Sequence, residues 1–119
     1  MEKTGKINYV ELPAKDMDAT KAFFSTVFGW RFVDYGPDYI AVQDAGLDAG
    51  FYRSELTART DDGSALVILY SSDLGKTADD VEKGGGSIIK PTFSFPGGRR
   101  FHFSDPNGNE FAVWSDIGI

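Results

Sequence analysis

The feature that most constrains this chain is a faint internal repeat. Residues 16–32 align with residues 73–89 without a gap at an offset of 57, and residues 50–54 align with 111–115 at an offset of 61. Both copies run in the order strand, turn, amphipathic helix, glycine and strand, and both end in a hairpin. One repeat of this size cannot bury both faces of its own sheet, so the two copies are expected to pack together.

Local signals divide each copy into elements. In the first copy, a short apolar run at 7–12 predicts a strand that Pro13 ends, and Asp16 is a good cap for a helix that Gly29 terminates. The second copy repeats this order. Its last two strands are predicted to form a hairpin around the turn 105–108, where proline and glycine suit the turn positions.

These elements predict a single α+β domain made of two tandem βαβββ modules. Module one is expected at about 6–54 and module two at about 65–117, with a polar linker at about 55–64. The two sheets are predicted to curl around a cleft, and the helices are predicted to lie outside it. The space between the sheets then becomes a ready pocket for a small molecule.

Composition excludes several classes of function. The net charge of −6 and the pI of about 4.6 disfavour binding to nucleic acid, because phosphates repel an acidic surface. The absence of cysteine excludes disulfides, thiolate chemistry and cysteine-based zinc sites. No apolar run approaches the ~18 residues that span a bilayer, and the N-terminus has no apolar signal core. We therefore expect a cytoplasmic protein with no membrane partner.

Two motifs carry a family resemblance. The run Glu11–Asp16, followed by Val27–Trp30, and the run Asp105–Asn109 before an apolar strand together resemble the vicinal oxygen chelate superfamily. This group contains glyoxalase I, extradiol dioxygenases and bleomycin-resistance proteins. The resemblance implies the paired-module fold, a homodimer, and, in the enzymes, a divalent metal in the cleft that acts as a Lewis acid. Its ligands are typically His, Glu or Gln on the first and last strands of each module.

This chain departs from the family pattern at those ligand positions. The resemblance places the two reference positions at Tyr9 and Ala112, and the two repeat offsets add Leu66 and Phe51. Only the tyrosine has a side chain that can ligate a metal, whereas a divalent cation needs about three or four converging donors. We therefore expect no cofactor, although the family makes a divalent metal an open alternative.

A displaced metal site is that alternative, and it would combine Glu11, His102 and Glu110. Symmetric pairing about the predicted turn places His102 opposite Phe111, which aims the imidazole away from the cleft, and a register error of one residue reverses this. Glu11 is also the candidate catalytic residue, as a general base or acid, if burial raises its pKa. The competing interpretation gives Glu11 a structural hydrogen bond.

Strand alternation predicts an aromatic and aliphatic lining for the cleft. Such a surface suits a small, partly aromatic ligand, which the protein would sequester or sense; the alternative functions are a glyoxalase-like lyase or isomerase, or a dioxygenase. A closed hydrophobic core is the structural alternative. The segment 90–100 is expected to be flexible, either a solvated loop or a lid. The predicted ligand-binding residues are Tyr9, Glu11, Phe51, Leu66, Tyr70, Phe101, Ala112 and Trp114.

Overall fold

Each half of the chain folds into a four-stranded mixed sheet with one helix. The computed structural model describes residues 3–117. The elements in chain order are β1 (Tyr9–Ala14), α1 (Met17–Phe28), β2 (Arg31–Asp34), β3 (Tyr39–Gln43), β4 (Asp48–Arg53), a 3-10 turn (Thr60–Asp62), β5 (Val67–Tyr70), α2 (Leu74–Lys83), β6 (Ser87–Phe95), β7 (Gly98–Ser104) and β8 (Glu110–Ser115).

The two sheets have the same topology. The strand order is β1-β4-β3-β2 in the first sheet and β5-β8-β7-β6 in the second. In each sheet the first and last strands of the module pair in parallel, and the other pairs are antiparallel. The predicted α+β fold of two tandem βαβββ modules is therefore confirmed. Among residues 3–117, no helix has the length and apolar character that crossing a membrane requires.

Helix α1 begins and ends as its capping residues dictate. The Asp16 side chain accepts a hydrogen bond from the Ala19 backbone N–H at 3.0 Å. At the other end Gly29 adopts the left-handed conformation, with φ of 72°, and its N–H closes the last turn. The helix therefore lies where the sequence predicted it.

The core is built where α1 crosses both sheets. Phe24, fully buried, stacks on Trp30 with ring centroids 4.5 Å apart, and it also contacts Phe51 of β4 at 5.5 Å and Phe111 of β8 at 5.2 Å. Phe103 stacks on Phe111 at 5.4 Å. One helix of module one thus packs on the strands of both modules, which unites them in one hydrophobic core.

The loop between β7 and β8 joins the modules through two buried asparagines. The Asn107 Oδ1 accepts hydrogen bonds from the backbone N–H groups of Lys15 and Asp16, both at 3.0 Å. Its Nδ2 donates to the Thr20 hydroxyl at 2.7 Å. Since those partners lie at the start of α1, Asn107 fixes the end of the second sheet against the first helix.

Asn109 makes the second junction and sets the strand register. Its Nδ2 donates to the Pro13 carbonyl at 2.6 Å, and its Oδ1 accepts from the Ala58 N–H at 2.8 Å. The Asp105 N–H donates to the Asn109 carbonyl, so the loop closes over five residues, 105–109, and Ser104 pairs with Glu110. The predicted four-residue turn is therefore one residue too short.

This longer loop reverses three predictions about side-chain direction. Phe101 pairs with Val113, is fully buried and belongs to the core beside the helices, so its predicted place in the cleft is wrong. His102 pairs with Ala112, so its predicted orientation away from the cleft is also wrong. Phe51 likewise packs against the helix. The module-two loop has one residue more than its module-one counterpart, so the true equivalent of Ala112 is Gly50.

The segment 90–100 forms a hairpin of two paired strands where the sequence predicted a solvated loop or a lid. Strand β6 continues to Phe95, and β7 begins at Gly98 after a tight turn in which Gly97 has φ of 113°. Phe95 lies 6.3 Å from the Trp114 ring, and the Arg100 guanidinium lies over the Phe93 ring at 5.3 Å. These ring contacts stabilise paired strands in a segment that contains prolines and glycines.

Candidate functional site

The candidate site lies on the sheet faces turned away from the helices, which we call the open faces. Because Phe51, Phe103 and Phe111 face the helices, strand alternation turns their neighbours to the opposite side. The open face of the first sheet carries Tyr9, Glu11, Tyr39, Gly50 and Tyr52. The open face of the second sheet carries Ile68, Tyr70, Phe93, Phe95, Arg100, His102, Glu110, Ala112 and Trp114.

A polar network crosses the open face of the first sheet. The hydroxyls of Tyr9 and Tyr39 lie 2.6 Å apart, and the Tyr39 hydroxyl donates to the Glu11 carboxylate at 3.0 Å. Burial, followed by these two hydrogen bonds, raises the pKa of Tyr39 well above its ordinary value. Gly50 lies beneath this network, and a Cβ there would collide with the Tyr39 hydroxyl.

Glu11 thus makes a structural hydrogen bond, which is one of the two roles that the sequence predicted for it. Its carboxylate is exposed and is held by a tyrosine hydroxyl. The condition for its catalytic role, burial in an apolar pocket, is not met. Leu66 immediately precedes β5 and is half-buried, at the entrance to the second sheet.

A buried imidazole–carboxylate pair lies on the open face of the second sheet. The His102 Nδ1 is 2.8 Å from the Glu110 Oε2, and the two side chains are only 2% and 3% exposed. The other Glu110 oxygen, Oε1, accepts from the Thr60 N–H at 2.9 Å and from the Thr60 hydroxyl at 2.8 Å. The linker between the modules therefore holds this carboxylate in place.

Hydrogen bonding outweighs burial in setting the charge of Glu110. Burial alone would raise its pKa, but the hydrogen bonds from His102 and Thr60 lower the pKa to about 2. Glu110 is therefore a carboxylate at neutral pH and can only accept hydrogen bonds. The His102 Nδ1 must then carry a hydrogen, and Nε2 remains buried with no hydrogen-bond partner.

An apolar hollow with one cationic wall lies on the same open face as this pair. It has a volume of about 340 Å³ and is lined by Ile68, Phe95, Arg100 and Trp114. The Arg100 guanidinium lies 5.3 Å and 5.7 Å from the Phe93 and Phe95 ring centroids. Two of the predicted ligand-binding residues are here, because Trp114 lines the hollow and Tyr70 contacts the Trp114 ring at 5.2 Å.

Two of the other hollows fit a ligand less well for reasons of size or charge. One lies between the modules on the helix side, is apolar and includes Phe51, but its volume is only about 170 Å³. Pockets that hold small molecules usually measure about 300–1,000 Å³. The other, of about 410 Å³, lies beside the start of α1, where its charged groups already pair with each other, Arg53 with Asp38 and Lys21 with Asp34.

The residues at the family's metal positions do not fit a metal. Tyr9 offers one phenol oxygen, which is engaged with Tyr39, and Leu66, Ala112 and Gly50 offer no donor. The three residues of the displaced metal site are not brought together either. His102 and Glu110 are in contact but Glu11 bonds to Tyr39, and residues 3–117 contain no group of three or more His, Asp or Glu side chains placed to hold a metal.

Comparison with known proteins decides the family. Residues 6–113 match the family model described as the Glyoxalase/Bleomycin resistance protein/Dioxygenase superfamily. The chain belongs to this superfamily. A Mycobacterium tuberculosis protein provisionally named glyoxylase CFP32 is 24% identical over 120 residues, which cover 94% of this chain and 46% of that protein. The chain thus spans about half the length of the curated relatives it matches.

Solved structures of the superfamily share the fold. A glyoxalase/bleomycin resistance protein/dioxygenase family enzyme from Burkholderia phytofirmans has a TM-score of 0.77 at 18% identity, over 92% of this chain and 98% of that chain. The fosfomycin resistance protein FosX from Listeria monocytogenes has a TM-score of 0.76 at 16% identity, and a lactoylglutathione lyase from Agrobacterium tumefaciens has 0.71 at 20%. Each of these two comparisons covers 93% of both chains.

Proposed function

We propose that this superfamily member binds a small aromatic acid on the open face of module two and does so without a metal at the family's ligand positions. Sequestration or sensing of such a molecule is the function that fits. The observation that carries the proposal is the hollow in which Trp114 and Phe95 provide ring faces and Arg100 provides a positive charge.

Charge favours an anionic ligand at this point. The chain has a net charge of −6, so a cation in an apolar wall is a local exception. The guanidinium is planar, stacks on aromatic rings and offers paired donors to a carboxylate, which a lysine would not do. An aromatic carboxylate can therefore stack on Trp114 while its anionic group meets Arg100.

The open faces do not assemble the metal site that the enzymatic alternative requires. A glyoxalase-like lyase or a dioxygenase with a rearranged metal site would require Glu11 to join His102 and Glu110, whereas Glu11 is engaged with Tyr39 on the other sheet. The donor sets at the family positions also do not fit a divalent cation. We therefore develop the binding function and no metal-dependent step.

We also propose that the protein works as a cytoplasmic homodimer. Large side chains on both open faces are exposed in the single chain, among them Tyr9, Tyr52, Ile68, Tyr70 and Phe93. Clustered exposed apolar groups often mark an interaction surface. A second copy covering part of these faces would shield them and enclose the hollow.

A thermal-shift experiment tests the binding function. Benzoate serves as the anionic aromatic probe and benzyl alcohol as the neutral one. At a benzoate concentration of 100 times its Kd, the folded protein gains about 2.7 kcal/mol, which raises Tm by roughly 10 °C in a domain of this size. We expect Ile68→Trp, which fills the hollow from an exposed position, to abolish the shift. Ile7→Trp, an exposed position outside the hollow, is the control and should keep it.

Stabilisation by benzyl alcohol equal to that by benzoate would refute the role of charge. Stabilisation by benzoate that survives Ile68→Trp would refute the location.

A further inference from the structure

The unpartnered nitrogen of His102 is the polar atom on the open faces that most needs an explanation. Within the described part of the chain, the buried side-chain atoms without a hydrogen bond are His102 Nε2 and the Nε atoms of three arginines. A buried polar group that lacks a partner destabilises the folded protein, so such atoms are rare and often functional.

The environment of the imidazole fixes which nitrogen is available. Glu110 is a carboxylate held by two hydrogen bonds from Thr60. It therefore accepts a hydrogen bond from the His102 Nδ1–H and has no hydrogen of its own to donate. In the neutral imidazole, this selects the tautomer in which Nε2 carries a lone pair. An orienting carboxylate behind a histidine is the arrangement that aims a ring nitrogen at a partner and keeps it there.

The position of His102 relates it to the hollow. Arg100 and His102 are two residues apart on β7 and therefore face the same side, about 7 Å from each other along the strand. Ala112 pairs with His102 on the neighbouring strand and contributes only a methyl group beside the ring. A ligand whose carboxylate meets Arg100 can thus extend along the strand towards His102.

Phe93 covers this path, so its side chain must move when a ligand binds there. Its ring centroid lies 5.8 Å from that of His102, and 37% of the residue is exposed. The pairing of β6 with β7 is irregular between Lys90 and Phe93, so this part of the outer strand is not fixed by a continuous ladder. A ring that enters beside Trp114 can take the place of the Phe93 ring.

We infer that His102 Nε2 is a specificity-determining hydrogen-bond acceptor that selects aromatic acids carrying a hydroxyl on the far side of the ring from the carboxylate. Glu110 is its positioning residue. This inference rests on the proposed function, because the same hollow holds the ring and Arg100 holds the carboxylate. A ligand without the hydroxyl leaves the buried nitrogen unpaired and therefore binds more weakly than one that carries it.

Paired probes test the selection. By isothermal calorimetry in mildly alkaline buffer, 4-hydroxybenzoate should bind the wild-type protein about tenfold more tightly than benzoate, the value of one hydrogen bond of about 1.4 kcal/mol. 4-Methoxybenzoate, which cannot donate, should show no gain over benzoate. In His102→Phe the two affinities should become equal while benzoate binding is retained.

The single histidine supplies a direct spectroscopic readout on the unmutated protein. In tag-free protein labelled with ¹⁵N-histidine, Nδ1 should resonate as a protonated nitrogen and Nε2 as an unprotonated one. 4-Hydroxybenzoate should shift the Nε2 signal, and benzoate should leave it near its free position. Glu110→Gln should redistribute the tautomers, which a merely structural carboxylate would not do.

The outcomes separate the two proposals. Equal binding of the two acids, with Nε2 unmoved, would overturn this inference and leave the proposed function standing. Failure of both acids to bind would overturn both. A free-state spectrum with the hydrogen on Nε2 would refute the acceptor role whatever the calorimetry shows.

Discussion

Replacement of Asn109 by alanine should be among the most costly single changes outside the apolar core. The residue is fully buried and joins β8 to both the first strand and the linker. Its loss leaves two backbone groups without their partners, the Pro13 carbonyl and the Ala58 N–H. Each unsatisfied group costs about 1–3 kcal/mol, so we expect a loss of about 2–6 kcal/mol in the free energy of unfolding.

Urea unfolding followed by tryptophan fluorescence measures this loss. The free energy of unfolding of a domain of this kind is about 5–15 kcal/mol in total. The urea concentration at the midpoint should therefore fall markedly while the m-value stays constant. Asn8→Ala, at an exposed asparagine, is the control and should change stability by less than about 0.5 kcal/mol. A loss below about 1 kcal/mol in Asn109→Ala would show that the motif does not join the modules as described.

Three further predictions follow from other parts of the structure. The pKa of Glu110 is lowered to about 2 in the folded protein, so above the ordinary glutamate pKa of 4.5 the wild type should be more stable than Glu110→Gln by at most about 3 kcal/mol. Urea titrations should show this difference in stability decreasing as the pH falls towards 2. A pH-independent difference would contradict the assignment of Glu110 as charged. Gly50→Ala should force the Tyr39 hydroxyl away from Glu11, and an absorbance titration should show one tyrosine returning towards its ordinary pKa. Light scattering at micromolar concentration should give the mass of a dimer, and a monomeric mass would refute the homodimer.

Much of the fold can be predicted from the sequence because the signals that specify its elements are local. The cap at Asp16, the stop at Gly29 and the apolar periodicity between them depend only on neighbouring residues. The repeated order of strands and helices follows from comparison of the two halves. These signals predict elements and topology, and the observed sheets have that topology.

The direction of the site residues is not local, and a single residue decides it. Asn109 reads as part of a turn or as the start of β8, and only its bonds to Pro13 and Ala58 show that it belongs to the loop. Because side chains alternate along a strand, that one residue moves His102 onto the open face and Phe101 into the core. The predicted face of Phe51 fails for the same reason, since the offset was carried across loops of unequal length.

The contacts of the 90–100 hairpin could not be predicted from the sequence either. Alternation of Phe93 and Phe95 is a strand signal, but the prolines and glycines around it suggested a loop. Both rings contact Arg100 and Phe95 also contacts Trp114, so these contacts join residues from three strands. Such an arrangement becomes visible only when the strand pairing is known.

The most direct test of the binding function is calorimetric titration of benzoate into protein stripped of metal with a chelator. The chain offers a matched pair of variants, because Arg100 lines the hollow and its neighbour Arg99 lies on the opposite face of β7. We predict that the wild type and Arg99→Gln bind benzoate equally well and that Arg100→Gln binds at least about tenfold more weakly. Binding that appears only after metal is restored, or that both variants lose alike, would contradict a metal-independent site on this face.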